Sequence, residues 1–239
     1  MCSGERLSTA ALVRDGDLDG LLEVARDFHG HVCPYVALGL KASLVCMRAL
    51  GSKRVGFEES VSESLLAIVE CNNCFTDGVQ VATGCTLGNN SLIYFDLGKT
   101  ALTLVRREDW RGVRVYADDD KLKDVSFPPE AEDLFAKVVT RREGTPEEAA
   151  RLGEMWEEVG HQVLALPDSI FKLTPVAVAP IEQAPIFESQ RCHACGELAM
   201  QTRMVEMDGQ PYCLSCAGQA YQALIGRGIV EMQPKRQER

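Results

Sequence analysis

The chain has 239 residues, 46% of them hydrophobic and 25% charged, and its formal net charge is −10. This length suits one sizeable core with a small appended module, and the composition excludes a disordered, collagen-like or coiled-coil chain. The negative charge argues against non-specific binding to nucleic acid or to an anionic membrane, since both would repel the protein. No apolar run approaches the ~20 residues of a membrane helix, and residues 1–6 lack the features of a secretory signal. We therefore expect a soluble cytoplasmic protein without membrane contact.

Two helices are predicted near the start of the chain. Asp17 is a typical N-cap, and the apolar positions from Leu18 to Phe28 follow helical spacing. A second helix is expected from Pro34, a favoured first helical position, to Leu50, with Gly51 as its C-terminal stop.

Strands and then further helices follow. Leu65–Val69 is typical of a short buried strand, and more strands are expected at Leu92–Tyr94, Ala101–Val105 and Val113–Tyr116. Two amphipathic helices are expected at Pro128–Arg142 and Pro146–Leu166, the second capped by Thr145. This order predicts an α+β fold in which helices pack on a mostly antiparallel sheet.

A proline-rich stretch divides the chain. Four prolines fall between Pro167 and Pro185 in an otherwise apolar segment, which favours an extended connector that can include an edge strand. We expect an α+β core domain at residues 1–166, a linker at 167–185 and a C-terminal domain at 186–239. The C-terminal domain holds six basic and six acidic residues, so the whole net charge of −10 lies before it.

The C-terminal domain carries a C-x2-C-x17-C-x2-C motif. Its members are Cys192, Cys195, Cys213 and Cys216. Four thiolates suit a tetrahedral structural Zn²⁺ site, with Gly196 easing the first turn and Asp208-Gly209 reversing a hairpin. A helix is expected at Ala217–Ile225, which completes a small treble-clef-like zinc finger. Since the domain is electrically neutral, contact with a protein partner is favoured over nucleic-acid binding.

A second group of metal-binding residue types lies at the predicted start of the Pro34 helix. His29-Gly30-His31-Val32-Cys33 places two imidazoles and a thiol within five residues. At the N-cap, free N–H groups and the helix dipole would stabilise a Cys33 thiolate. The segment predicts a site of metal or thiol chemistry, with satisfied core histidines as the structural alternative.

More cysteines follow the buried strand. Cys71 and Cys74 form a C-x2-C pair where a strand passes to a helix. Such a pair is either half of a metal site or a redox pair, and the lack of a thioredoxin-like βαβ pattern favours metal or substrate binding. Cys71 and Cys85 alternatively serve as small buried hydrophobes, Cys46 is expected in the core, and Cys2 is expected to be a free terminal thiol.

These motifs combine into a more specific pattern. The pattern reads His29-Gly-His-x-Cys-Pro-Tyr, Leu38-Gly39-x-Lys41, Cys74-x-x-Asp77-x-x-Gln80-x-x-Thr83-Gly84-Cys85-Thr86, and Gly98-Lys99. It resembles the E-subunit family of formylmethanofuran dehydrogenase over roughly residues 20–165, and longer members of that family carry a similar four-cysteine segment. The resemblance implies an α+β core that dimerises closely and a link to the molybdenum or tungsten enzyme that makes formylmethanofuran, hence to one-carbon metabolism.

The resemblance also implies a core site. Its catalytic candidates are His29, His31, Cys33 and Asp77. Its candidate cofactor-binding or pocket residues are Cys74, Gln80, Cys85 and Lys99. Gly78 stands where the family has alanine, which loosens the start of a helix slightly, and Cys71 is additional, which leaves the ligand set ambiguous.

Three functions fit these observations. The first is a dimeric metal-binding accessory protein, with a second metal of unknown identity in the core and a finger that docks a partner enzyme. The second is an enzyme in which Cys33 or the core metal acts, with His31 or His29 as base and Asp77 as its orienter. The third is a metal-sensing regulator whose finger contacts nucleic acid, against which the charge argues.

Overall fold

The computed structural model describes residues 8–125 and 127–234, so Cys2 lies outside the described residues. The chain forms two compact units, one ending at Ile181 and the other beginning at Glu182. This boundary falls within the proline-rich stretch. Within the described residues, no helix has the length and apolar character of a membrane span.

The first unit contains helices and strands in a mixed order. The helices are α1 (Thr9–Asp15), α2 (Leu18–His29), α3 (Pro34–Leu50), α4 (Phe57–Ser62), α5 (Cys74–Thr83), α6 (Pro129–Leu134) and α7 (Pro146–Ala165). The strands are β1 (Leu65–Val69), β2 (Leu92–Tyr94), β3 (Ala101–Arg106), β4 (Arg111–Ala117) and β5 (Phe171–Ala177). The described strands of this unit form one sheet in the order β2-β1-β3-β4-β5.

The sheet is mostly antiparallel, which confirms the predicted α+β class. Only the β1–β2 pair is parallel among the described strand pairs of this sheet, and β3, β4 and β5 follow as antiparallel neighbours. Strand β5 lies within the proline-rich stretch and forms the edge of the sheet, where a proline such as Pro175 is tolerated.

Local signals explain the helix boundaries. The Asp17 carboxylate accepts a hydrogen bond from the Gly20 N–H at 2.9 Å and begins α2. Thr145 and Glu148 form a reciprocal capping box at the start of α7. Helix α3 runs from Pro34 to Leu50 as predicted, and Gly51 ends it in the left-handed conformation at φ 68°.

Helix α3 is the centre of the core. Every residue from Val36 to Met47 is buried, because α5 and α7 pack on this helix and strands β3 and β4 lie beneath it. Residues beyond β5 contribute to the other face of the sheet, where Val178 and Ile181 pack against Leu66, Ile68 and Val105.

Two glycines allow α3 and α5 to approach each other. A Cβ at Gly39 would lie 2.1 Å from the Phe75 carbonyl oxygen, and one at Gly78 would lie 2.2 Å from the Val36 carbonyl oxygen. Gly78 therefore does not loosen a helix start, as its comparison with alanine predicted. It is the residue that lets the two backbones touch.

We expect Gly78→Ala to lower the stability of the core by ~1–3 kcal/mol, because the methyl group overpacks a backbone contact. Gly153→Ala is the matched control, since Gly153 lies within α7 and a Cβ there meets no atom within 4 Å. The control should gain up to ~1 kcal/mol from helix propensity. Urea unfolding of both variants measures the difference, and an equal response would contradict the close approach.

Two local predictions for the core need correction. Phe28, placed on the buried stripe of α2, is 56% exposed. The helix expected at Pro128–Arg142 begins at Pro129 and continues from Phe135 to Thr140 as a π-helix. Such π-helical turns are rare and often occur at functional sites.

The second unit is built from short antiparallel hairpins. They pair β6 (Ser189–Arg191) with β7 (Leu198–Met200), β8 (Met204–Met207) with β9 (Gln210–Cys213), and β10 (Tyr221–Ile225) with β11 (Gly228–Met232). Asp208 and Gly209 form the predicted turn, both with positive φ.

The helix expected at Ala217–Ile225 is wrong. A turn occupies residues 214–217, Gly218 adopts φ 68°, and Tyr221–Ile225 forms strand β10. A left-handed glycine at that point ends any right-handed helix, and pairing with β11 then overrides the helical propensity of the segment. The unit is thus a ribbon of hairpins around its cysteines.

Candidate metal centres

The core site forms where three helix ends meet. Helix α2 ends at His29, and Gly30, at φ 91°, turns the chain toward His31. The chain then extends through Cys33, the N-cap of α3. Opposite this turn, α5 begins at Cys74, immediately after Asn73 caps the helix by accepting a hydrogen bond from the Phe75 N–H.

These turns bring four ligand residues together. One ligand atom from each of His29, His31, Cys33 and Cys74 lies within 4.8 Å of all the others. Two imidazoles and two thiols form a donor set that zinc and other borderline or soft transition metals prefer. The residues therefore fit a bound metal ion, and they come from two segments about forty residues apart in the sequence.

Asp77 orients the first histidine. Its carboxylate contacts His29 Nδ1 at 2.6 Å, and its other oxygen accepts a hydrogen bond from Gln80 Nε2 at 3.0 Å. His29 Nε2 is buried and makes no hydrogen bond of ordinary geometry within the described residues. A carboxylate on one imidazole nitrogen with the other nitrogen left for a metal is a common arrangement at metal sites.

The thiolate is expected on Cys74 and not on Cys33. The hydrogen bond between the two thiols, together with burial, raises the pKa of Cys33. The same hydrogen bond and the nearby His29 lower the pKa of Cys74 to about 6. The Cys33 side chain makes no capping hydrogen bond, so the predicted stabilisation by the helix start is outweighed by burial and by the thiol pair.

The histidines differ in their electrostatics. Burial disfavours the charged form of His29, but the hydrogen bond with Asp77 and the neighbouring Cys74 outweigh that effect and raise its pKa. Burial and the charge of His29 lower the pKa of His31. The two rings lie with centroids 4.5 Å apart, so protonation of one disfavours protonation of the other.

An apolar pocket adjoins this cluster, and we call it the aromatic pocket. Its volume is about 390 Å³. It is lined by His31, Cys33, Pro34, Tyr35, Cys74, Phe127, Ala131, Glu132, Phe135 and Trp156. Three of the four clustered ligand residues thus contribute to its wall, and the volume lies in the range of small-molecule sites.

The sequence analysis missed the aromatic wall. Trp156 stacks near His31 with ring centroids 5.5 Å apart, and Phe135 lies 6.1 Å from Trp156. Both aromatic residues come from helical segments more than a hundred residues after the histidines. Their only local signal is an aromatic residue on an amphipathic helix, which is typical of any core.

The remaining predicted core residues lie outside the four-residue cluster. Cys85 is fully buried, and its thiol donates to the Leu65 carbonyl at 3.6 Å. Lys99 is exposed, and its backbone N–H donates to the Glu70 carbonyl at the end of β1. Cys71 is buried beside Asn73, and Cys46 is a core residue as expected.

The second unit holds the other ligand cluster. One sulfur each from Cys192, Cys195, Cys213 and Cys216 lies within 4.8 Å of all the others. Backbone N–H groups of Cys195 and Cys213 bond the Cys192 sulfur and lower the pKa of its thiol to about 6. Gly196 takes φ 74° just after the first pair, as predicted. A set of four converging cysteine sulfurs fits a structural zinc ion.

Comparisons with known proteins agree with both sites. Residues 28–172 match the family described as FmdE, Molybdenum formylmethanofuran dehydrogenase operon, and residues 185–222 match the prokaryotic dksA/traR C4-type zinc finger. A solved FmdE-like protein of tungsten formylmethanofuran dehydrogenase type, from Syntrophus aciditrophicus, is 25% identical, with a TM-score of 0.55. That match covers 84% of this chain and 92% of the other.

A longer relative is also similar. A probable S-adenosyl-L-methionine-binding protein from Archaeoglobus fulgidus is 57% identical over 221 residues, which cover 92% of this chain. The match spans 58% of the length of that relative.

Proposed function

The chain belongs to the FmdE family, and from this premise we propose that it is a metal-binding accessory protein with two separate metal centres. The core centre would be held by His29, His31, Cys33 and Cys74, and the finger centre by its four cysteines. The observation that carries the proposal is the convergence of four ligand atoms within 4.8 Å, beside a buried His29 Nε2 that has no hydrogen-bond partner among the described residues. A bound metal would act there as a Lewis acid toward a ligand in the aromatic pocket.

This chain's own residues prepare the core site. Asp77 holds the His29 ring with Nδ1 toward its carboxylate, which leaves Nε2 facing the cluster. Cys74 supplies a thiolate near neutral pH, because the Cys33 thiol and His29 stabilise its negative charge. The aromatic side chains of the pocket exclude water from one side of the site.

An enzymatic role for the same site is the second candidate. The observation in its favour is that His31, Cys33 and Cys74 line the aromatic pocket, so a ligand there would touch the metal-binding residues. A closed set of four protein ligands favours the accessory role, whereas a coordination position that accepts an added ligand favours catalysis.

The name of the Archaeoglobus relative points to a ligand for this pocket. S-adenosyl-L-methionine carries a sulfonium, and aromatic faces attract such cations. Trp156, Phe135 and the exposed carboxylate of Glu132 offer that environment. We extend the ligand to this chain as a proposal, since the relative has further sequence of its own.

The finger and the dimer complete the proposal. With six basic and six acidic residues in 186–239, the finger suits a protein partner better than nucleic acid. The family resemblance supports a homodimeric core, a cytoplasmic setting, and a partner enzyme related to the molybdenum or tungsten dehydrogenase.

Cobalt substitution tests the core site. In a Cys192→Ser/Cys195→Ser variant, which disables the finger centre, added Co²⁺ should give the strong visible bands and thiolate charge transfer of a tetrahedral site. Asp77→Asn should weaken cobalt binding by about 10–100-fold, because it removes the carboxylate that orients His29. Asp133→Asn, an exposed change on α6, is the matched control.

Two additions separate the candidate roles. A band shift on adding azide would favour catalysis, and unchanged bands would favour the accessory role. A shift on adding S-adenosyl-L-methionine would place that ligand beside the metal. Only the weak spectrum of hydrated cobalt in the finger variant would contradict the core centre itself.

A further inference from the structure

A second cavity in the first unit shares no residue with the aromatic pocket, and we call it the basic pocket. Its volume is about 790 Å³, in the upper part of the range for small-molecule sites. It is lined by Ala10, Val13, Arg14, Asp15, Gly16, Leu18, Lys41, Leu44, Met47, Arg48, Gly51, Ser52, Lys53, Arg54 and Asp168.

The charge of this lining is opposite to that of the chain. Five of the lining residues are basic and two are acidic, a formal balance of +3, in a protein whose net charge is −10. Solvated surface charges scatter in both signs, whereas a concave surface lined by one sign concentrates its potential on an occupant. The basic pocket therefore favours an anion.

Two of these cations are removed from water. Lys41, which belongs to the Leu38-Gly39-x-Lys41 motif and has no part in the metal centre, is only 8% exposed in the middle of α3. Its Nζ donates to the Leu164 carbonyl at 2.7 Å and lies 3.8 Å from the Asp168 carboxylate. The same carboxylate pairs with Arg48 at 2.6 Å, so one anion is shared between two cations.

Arg54 is the second such cation. Its guanidinium donates to the carbonyl oxygens of Val81 at 3.1 Å and Val55 at 3.5 Å, which are neutral acceptors. Burial lowers the pKa of both Lys41 and Arg54, which means that their neighbours do not fully offset the loss of water. An anionic occupant would supply the missing charge.

The position of the helix end does not explain this arrangement. Cations near a helix C-terminus complement its dipole, and Arg48 in the last turn of α3 fits that account. Lys41 lies more than two turns earlier, and Arg54 lies beyond the helix and bonds other segments. In addition, the Ser52 hydroxyl is buried at the pocket without a hydrogen-bond partner among the described residues.

The opposite wall is apolar. Val13 and Leu18 on the first two helices face the pocket together with Leu44 and Met47 of α3. A small inorganic anion would leave this wall and most of the volume unused. An occupant with an organic portion and a charged end would use both.

We propose that the basic pocket binds an organic phosphate of about nucleotide size, with its phosphate on the cluster of basic side chains and its organic part on the apolar wall. Arginine and lysine both suit phosphate oxygens, arginine through paired N–H donors and lysine as a point charge. The Ser52 hydroxyl adds a neutral donor to the same group.

Binding of defined probes to the full chain tests the proposal. Titration calorimetry should show binding of ATP and AMP, weaker binding of pyrophosphate, and no binding of adenosine. Arg48→Gln/Lys53→Gln should weaken ATP binding at least about tenfold, because it removes two charge-assisted contacts. Lys172→Gln, on the exposed edge strand, is the matched control and should change nothing.

Other arms remove competing explanations. His31→Ala should leave ATP affinity unchanged, since nucleotide phosphates otherwise have access to a core metal. Lys53→Gln alone, at an exposed position, serves if the double variant fails to fold. The proposal is overturned if no phosphate compound binds, if pyrophosphate binds as tightly as ATP, or if the pocket variants bind ATP like the unchanged protein.

Discussion

Cys192→Ser is expected to abolish the fold of the C-terminal unit while the melting temperature of the core stays unchanged. Among the described residues from Glu182 onward, Cys192 is the only buried side chain of hydrophobic type. A unit of hairpins with so little apolar burial depends on its metal, and a structural zinc site contributes about 10–16 kcal/mol of apparent binding free energy in finger peptides. The two units have separate internal contacts, so loss of one leaves the other folded.

Amide NMR spectra and calorimetry measure this outcome. Signals of residues in the hairpins should collapse toward unfolded positions, and the main calorimetric transition should remain. Ser215→Ala is the matched control, because Ser215 is exposed between two ligands and supplies none. An equal shift of the core transition in Cys192→Ser would show that the two units fold as one.

Cys74→Ala is expected to remove the core metal and leave the core folded. Loss of the residue whose thiol pKa is about 6 takes away the principal anionic ligand, and we expect metal affinity to fall by more than about hundredfold, the upper effect of losing an outer-shell partner. Because Cys74 is only half-buried, its truncation should change the stability of the metal-free protein by less than about 1 kcal/mol.

The chain offers a close control for that change. Cys71 lies three residues earlier, is buried, and is outside the cluster. Cys71→Ala should therefore keep the core metal at full occupancy. Metal analysis after dialysis compares the two, and retention of the core metal in Cys74→Ala would remove Cys74 from the ligand set.

Where local chemistry decides the structure, the sequence predicts it well. Helix α3 has proline at its start, glycine at its end and apolar residues throughout, and its predicted and observed bounds agree. Asp17, Thr145 and Asp208-Gly209 are caps and turns whose geometry depends on their own side chains or backbone freedom.

Where distant segments decide, the sequence does not. Tyr221–Ile225 has helical propensity, yet pairing with Gly228–Met232 makes it a strand. The role of Gly78 appears only when the Val36 carbonyl is placed against it. No local pattern shows that α5 lies against α3 at this point.

The core site shows the same division. The histidines and Cys33 are visible as a motif, and the cysteine pair is visible as another. Which cysteine is the thiolate depends on the contact between Cys33 and Cys74, which the sequence does not contain. The wall formed by Phe135 and Trp156 likewise requires the packing of α7 against the site.

Metal content per chain tests the account most directly. Anaerobically purified full-length protein should hold two metal ions per chain, Cys192→Ser/Cys195→Ser should hold one, Cys74→Ala should hold one, and the combined variant should hold none. One metal ion in the full-length protein and none in the finger variant would contradict the account, because the histidines and cysteines of the core would then form a pocket without a metal.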